Sequence, residues 1–169
     1  VVLLASEEGL SRWEWARHLP HMWDDEQRLR FLICGKAAAH QTFSELYGVL
    51  KERESRALEG SALPHYVFIV EDPSLLDNEA INKYLYNGSS SIGVSTMFIA
   101  KHTSLLPMNC KTVITLQNHR GELVDRSSGE KVLFVPDKTE LKHLDLMARK
   151  LAALRIKQSG THFALPSSI

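Results

Sequence analysis

The sequence predicts an α/β fold, a mostly parallel sheet with helices on both faces. Three observations carry that expectation. Short apolar runs rich in β-branched residues recur at 1–5, 29–34, 65–70 and 93–100. Runs without polar alternation suit strands buried on both faces. Longer segments with apolar residues every three or four positions lie between them, the spacing of a helix packed on a sheet. The strand runs also end in polar groups, at Cys34-Gly35-Lys36, Glu71-Asp72 and Lys101-His102. In parallel sheets, ligand sites form beyond the carboxyl ends of the strands.

Taken in order, residues 1–5 (VVLLA) form a first strand. Ser11 caps a short helix carrying Trp13, Trp15, Ala16 and Leu19, which Pro20 stops. Residues 24–28 are a solvated charged stretch, and 29–34 a second strand closed by Gly35. Residues 36–57 hold the longest helical pattern, with Ala39, Phe43, Leu46, Tyr47 and Leu50 on one face and a charged tail over 51–56. Gly60, Ser61 and Pro64 punctuate the next boundary. Residues 65–70 (HYVFIV) are the strongest strand; 78–86 read as a short helix, and Asn87-Gly88 as a turn. Strands follow at 93–100 and 111–116. Residues 120–125 and 131–136, split by Ser127-Ser128-Gly129, form a hairpin. Residues 141–155 make a final amphipathic helix, with Leu141, Leu144, Ala148, Leu151 and Leu154 on one side. The chain divides into one domain at 1–158 and a linker at 159–169.

At 169 residues the length suits one domain. Lys plus Arg and Asp plus Glu each number 20, a neutral balance that argues against gripping nucleic acid or anionic lipid. Two cysteines exclude a disulfide scaffold and suit a reducing compartment. No run approaches the ~18 apolar residues of a membrane helix. The opening Val1-Val2-Leu3-Leu4-Ala5 is apolar from its first residue. Chain termini are usually polar and exposed, so this start reads as that of a piece of a longer polypeptide.

The sharpest chemical signal is Val67-Phe68-Ile69-Val70-Glu71-Asp72. Apolar residues ending in acids mark the strand that organises Mg²⁺ in P-loop NTPases. Acids also follow strands simply because the chain returns to solvent, and Pro73 biases Asp72 towards extended backbone. The partner motif, G-x-x-x-x-G-K-[ST], does not occur; Lys36, followed by three alanines, reads as a first helical turn. His18 and His21 are three apart with Leu19-Pro20 between them, and no Cys or Glu completes a metal set. Cys34 and Cys110 read as small buried hydrophobes. Trp13, Trp15 and Trp23 read as a cover for one end of the sheet or as a partner surface.

Three segments together resemble a known family. They are Trp13-Glu14-Trp15-Ala16-Arg17-His18-Leu19-Pro20-His21, then Pro64-His65-Tyr66-Val67-Phe68-Ile69-Val70-Glu71-Asp72, then Gly93-Val94-Ser95-Thr96 with Leu106-Pro107-Met108-Asn109-Cys110-Lys111-Thr112-Val113-Ile114. Their order and wording resemble the membrane-anchored FtsK/SpoIIIE-type ATPase of type VII secretion systems (EssC/EccC). The stretch corresponds to the domain between the membrane segments and the first ATPase module, and the W-x-W-x-x-x-L-P-H element is its most specific part. The resemblance implies a RecA-like, P-loop NTPase-like fold with a degenerate nucleotide site, incomplete at the N-terminus because the phosphate-loop strand and helix would precede Val1. It places Glu71 and Asp72 on the acid-bearing, nucleotide-binding strand and 96–101 on the sensor strand. It makes Trp13, Trp15, His18 and His21 interaction candidates and assigns no catalytic or metal-binding residue.

The same resemblance implies a structural and regulatory domain at the cytoplasmic face of the membrane, coupling a membrane stalk to ATPase modules of a motor that exports small helical-hairpin proteins. ATP and Mg²⁺ belong to the parent protein and no cofactor to this segment. The implied partners are the neighbouring modules and stalk of the same polypeptide, other secretion-system subunits and secreted substrates, with no nucleic acid and no direct membrane insertion. Two alternatives stand beside it: a nucleotide-binding ATPase domain once the upstream segment is present, and a DNA-translocase accessory domain.

Overall fold

The computed structural model describes residues 1–23, 30–56, 65–87 and 92–152. Four strands, β1 (Val2–Ala5), β2 (Leu32–Cys34), β3 (Tyr66–Val70) and β4 (Val94–Phe98), pair in parallel in the order β2-β1-β3-β4. Val2, Leu3, Leu4 and Ala5 are all fully buried, which is why β1 is apolar throughout. A short helix, α1 (Leu10–Trp13), and two 3₁₀ turns (Glu14–His18 and Pro20–Met22) lie between β1 and β2. The long helix α2 (Lys36–Arg56) joins β2 to β3, and α3 (Asn82–Asn87) precedes β4.

The chain leaves β1 for β2 in one direction and then crosses back over β1 to β3. Parallel crossovers are right-handed almost without exception, so a reversal of direction sends the two connections to opposite faces. The side-chain contacts agree. On one face, α2 meets residues 79–84 through His40–Glu79 (3.1 Å), Lys83–Glu54 (2.7 Å) and the Tyr47–Tyr84 ring pair, 5.7 Å between centroids. On the other, the 3₁₀ turn Glu14–His18 packs against the last helix, α4 (Leu141–Ala152). The core between them holds Ala39, Phe43, Leu46 and Leu50 of α2, the face predicted from spacing, with Tyr47 packed at its margin.

A second, antiparallel sheet runs β5 (Thr112–Gln117), β6 (Arg120–Asp125) and β7 (Lys131–Phe134) in sequence order. The β6–β7 hairpin is the one expected. The strand at 111–116 also forms, but outside the parallel sheet. Asn118 and His119 both take positive φ (44° and 81°), as the two-residue type I′ hairpin turn requires, and fold β5 back on β6.

Other expectations shift in detail. The first helix starts at Leu10 with Gly9 as its N-cap; Ser11 lies inside it, and Ser6 Oγ accepts the Gly9 N–H at 2.9 Å. The second strand starts later than residue 29, since Arg30 is drawn into an isolated antiparallel bridge with Trp23. The helix expected at 78–86 begins at Asn82, because Asn78 is left-handed (φ 62°). Cys34 and Cys110 are half-buried, not buried: Cys34 is the last residue of β2, and Cys110 lies in the loop before β5. Residues 24–28, the boundary at 60–64, Gly88, Leu154 and the domain–linker boundary at 158/159 lie outside the described residues. Among the described residues, no helix is long and apolar enough to cross a membrane.

Candidate functional site

Because strand order reverses about β1, the carboxyl edge between β1 and β3 is the topological switch point, the usual ligand position in such sheets. Glu71 and Asp72 follow β3 at that edge. The Glu71 and Asp72 N–H groups both donate to Leu4 O, at 2.8 and 3.3 Å, so the β1–β3 pairing carries straight into the site. The Glu71 side chain turns over the loop that follows β1. Its Oε1 accepts from the Arg12 guanidinium, and its Oε2 is buried without a hydrogen-bond partner among the described residues. The carboxylate lies so close to Gly9 that a Cβ there would come within 2.1 Å of Oε2; only glycine leaves room.

Asp72 is extended (φ −114°, ψ 94°), as a residue before proline should be. Its Oδ1 accepts from Ser74 N at 3.0 Å and Ser74 Oγ at 2.7 Å, capping the 3₁₀ turn Pro73–Leu76. Cys34 ends β2 at the same edge. Burial pushes its thiol pKa up, and the nearby charges of Glu7 and Asp72 add to the rise. Lys101, His102 and Thr103, beyond β4, are exposed.

These residues do not fit ATP with Mg²⁺ as they are arranged. One oxygen of Glu71 is held by Arg12 and the other is buried close to Gly9. Asp72 Oδ1 is engaged in its own turn. Among the described residues, no group of three His, Cys, Asp or Glu side chains is placed to hold a metal ion.

The Trp-rich element belongs to the same β1–β2 connection, directly after Arg12. Trp13 and Trp15 are half-buried against the core, with ring centroids 6.3 Å apart, and Trp13 Nε1 is buried without a partner among the described residues. His18 Nε2 lies 3.7 Å from Asp145 Oδ1 of α4, and Arg149 donates to Asp145 Oδ2 at 2.7 Å. The Arg149 hydrogen bond is the main force holding the Asp145 carboxyl below the ordinary range, with the charges of Arg149, His18 and Arg17 adding to it. A cavity of about 310 Å³ separates the two segments, lined by Ser11, Glu14, Trp15, Arg17, Asp145 and Arg149 among others. Trp15 and His18 thus face α4, with Trp13 beside Trp15, whereas His21 is exposed in the next turn. Gly9 and Arg12 were not singled out by sequence. The available signal was Ser6-x-x-Gly9 directly after one buried strand, a basic residue three positions on, and an acid directly after another.

No family model matches the chain, and no solved structure matches it. Curated proteins do. It is 29% identical over 172 aligned residues to the ESX secretion system protein EccC of Geobacillus thermodenitrificans. It is 27% identical over 177 aligned residues to the type VII secretion system protein EssC of Staphylococcus aureus. Both alignments take in 99% of this chain but only 12% of the relative, so the chain spans about an eighth of their length. The type VII secretion family read from the sequence is thereby supported.

Proposed function

We propose that the chain is a non-hydrolysing structural and regulatory domain of a type VII secretion motor of the FtsK/SpoIIIE class, with a RecA-like sheet. It couples a membrane stalk to the ATPase modules of the same polypeptide, at the cytoplasmic face of the membrane. Its partners are those modules, the stalk, other secretion subunits and, in the assembled motor, small helical-hairpin substrates. ATP and Mg²⁺ act elsewhere in the parent. The likeness to EccC and EssC over almost the whole chain supports the family part of this reading. One observation carries the non-hydrolysing part: Glu71, at the position of a metal-organising acid, is tied to Arg12 and packed on Gly9. An acid engaged in this way is not available to order a cation or polarise water.

Calorimetric titration of ATP-Mg²⁺ into the chain extended upstream by roughly 100 residues of the natural protein, the scale of a typical domain, tests it. The expected result is no turnover and no heat that depends on Asp72. Binding abolished by Asp72→Ala would overturn the structural reading in favour of a nucleotide-binding domain.

A further inference from the structure

The antiparallel sheet carries an apolar face that the described residues leave open. The register fixes its members: Ile114 pairs with Leu123 and Leu123 with Val132, while Leu116 pairs with Gly121 and Gly121 with Phe134. Directly paired residues share a face. Ile114, Leu116 and Val132 are 53%, 63% and 47% exposed, and the Phe134 ring folds over Gly121. A sheet with one apolar face needs a second layer to bury it, and α4 packs elsewhere, on the turn Glu14–His18.

We infer that this face is the docking surface for an amphipathic helix of an adjoining module of the same, longer polypeptide. The inference rests on the reading of the chain as one module of a larger motor. Two quantities select the occupant. Three strands ~4.8 Å apart, of six, six and four residues at ~3.4 Å each, present roughly 260 Å². That is well short of the ~800 Å² per partner of a stable free-standing complex, which argues against a second copy or a separate subunit. It matches one side of a modest interface between domains of one chain. A covalent tether raises the effective concentration to around millimolar, so a small patch suffices. The relatives supply such a tether, since the chain aligns with only 12% of their length. An anionic membrane is disfavoured because Asp125, paired with Thr112, puts a carboxylate at the end of the same face.

The test is a benzoylphenylalanine photo-crosslinker placed at Val132 in the full-length natural protein in its own membranes, mapped by mass spectrometry. An intrachain crosslink to a helical peptide outside these 169 residues is expected. A probe at Leu133, which alternates onto the opposite face, should give little of that product. Ile114→Asp should lower the Val132 yield by roughly tenfold or more, because a charge desolvated in a contact without a partner is unfavourable. A crosslink to a second copy, another subunit, lipid or residues within this chain would overturn the inference, as would no crosslink at all. Substrate export by the same cells is scored separately. Export indifferent to deletion of this segment would sink the secretion reading, while the crosslink map still decides what covers the face.

Discussion

Arg12 and Glu71, 59 positions apart, tie the β1–β2 connection to the residue that follows β3. The Glu71 side chain is only 13% exposed, whereas that of Arg12 is 61% exposed. The two partners are therefore not equivalent. Removing Arg12 strands a mostly buried carboxylate; removing the charge of Glu71 leaves a guanidinium free to turn to water. Arg12→Ala should cost about 1–3 kcal/mol and Glu71→Gln less, because an uncompensated buried charge is the costlier defect. Urea unfolding measures both, and equal losses would contradict the asymmetry.

Gly9 sits in right-handed backbone (φ −77°, ψ −22°) that any residue adopts, so what it provides is room and not conformational freedom. Gly9→Ala should destabilise by about 1–3 kcal/mol through overpacking against Glu71. The same change made in a Glu71→Ala background should cost distinctly less, with only the approach to Ser6 Oγ left, and that non-additivity is the signature of direct contact. Additive effects in the double-mutant cycle would mean that Glu71 does not press on the loop.

Gly121 has its own close approach, with the Phe134 ring 2.3 Å from where a Cβ would lie. Gly121→Ala must lift that ring off the sheet. We expect a loss of about 1–3 kcal/mol in thermal or denaturant unfolding, largely recovered by Phe134→Leu. An unchanged melting temperature for Gly121→Ala alone would show that the ring is not seated there.

Glu54 accepts from Lys83 Nζ and from Tyr84 OH (2.9 Å), bridging α2 to α3. The hydrogen bond from Lys83, then that from Tyr84, holds the Glu54 pKa below its ordinary value, and Glu54 in turn raises that of Lys83. A depressed carboxyl stabilises above its unfolded pKa and loses that contribution as pH falls through the folded one. A raised ammonium stabilises below its unfolded pKa and loses it as pH rises through the folded one. The bridge is therefore at full strength from about pH 5 to about pH 10. Glu54→Gln should flatten both limbs of a plot of unfolding midpoint against pH. Limbs identical to those of the unsubstituted protein would refute the bridge.

Much of the fold was legible because buried parallel strands are written as uninterrupted apolar runs, as in Val2 to Ala5, and α2 as a stripe from Ala39 to Leu50. The partner of β5 was not. Thr112 to Leu116 reads as a strand, but an apolar run carries no direction, and the decisive turn at Asn118-His119 lacks the glycine that usually announces it. The site was half legible. Glu71 and Asp72 stood out because a run of apolar residues ends there. Arg12 and Gly9 did not, because their importance depends on β1 and β3 being neighbours, which one-dimensional spacing does not disclose.

The two sheets also differ in how much chain must be gathered before a pair can form. Gln117 meets Arg120 across two residues, whereas Val2 meets Phe68 across most of the first half of the chain. Closing a long loop costs more entropy and takes longer than closing a short one. Loop-closure entropy therefore favours pairing within the meander over the seating of β3 beside β1. The Arg12–Glu71 tie, which needs β1 and β3 side by side, depends on the more costly of the two closures.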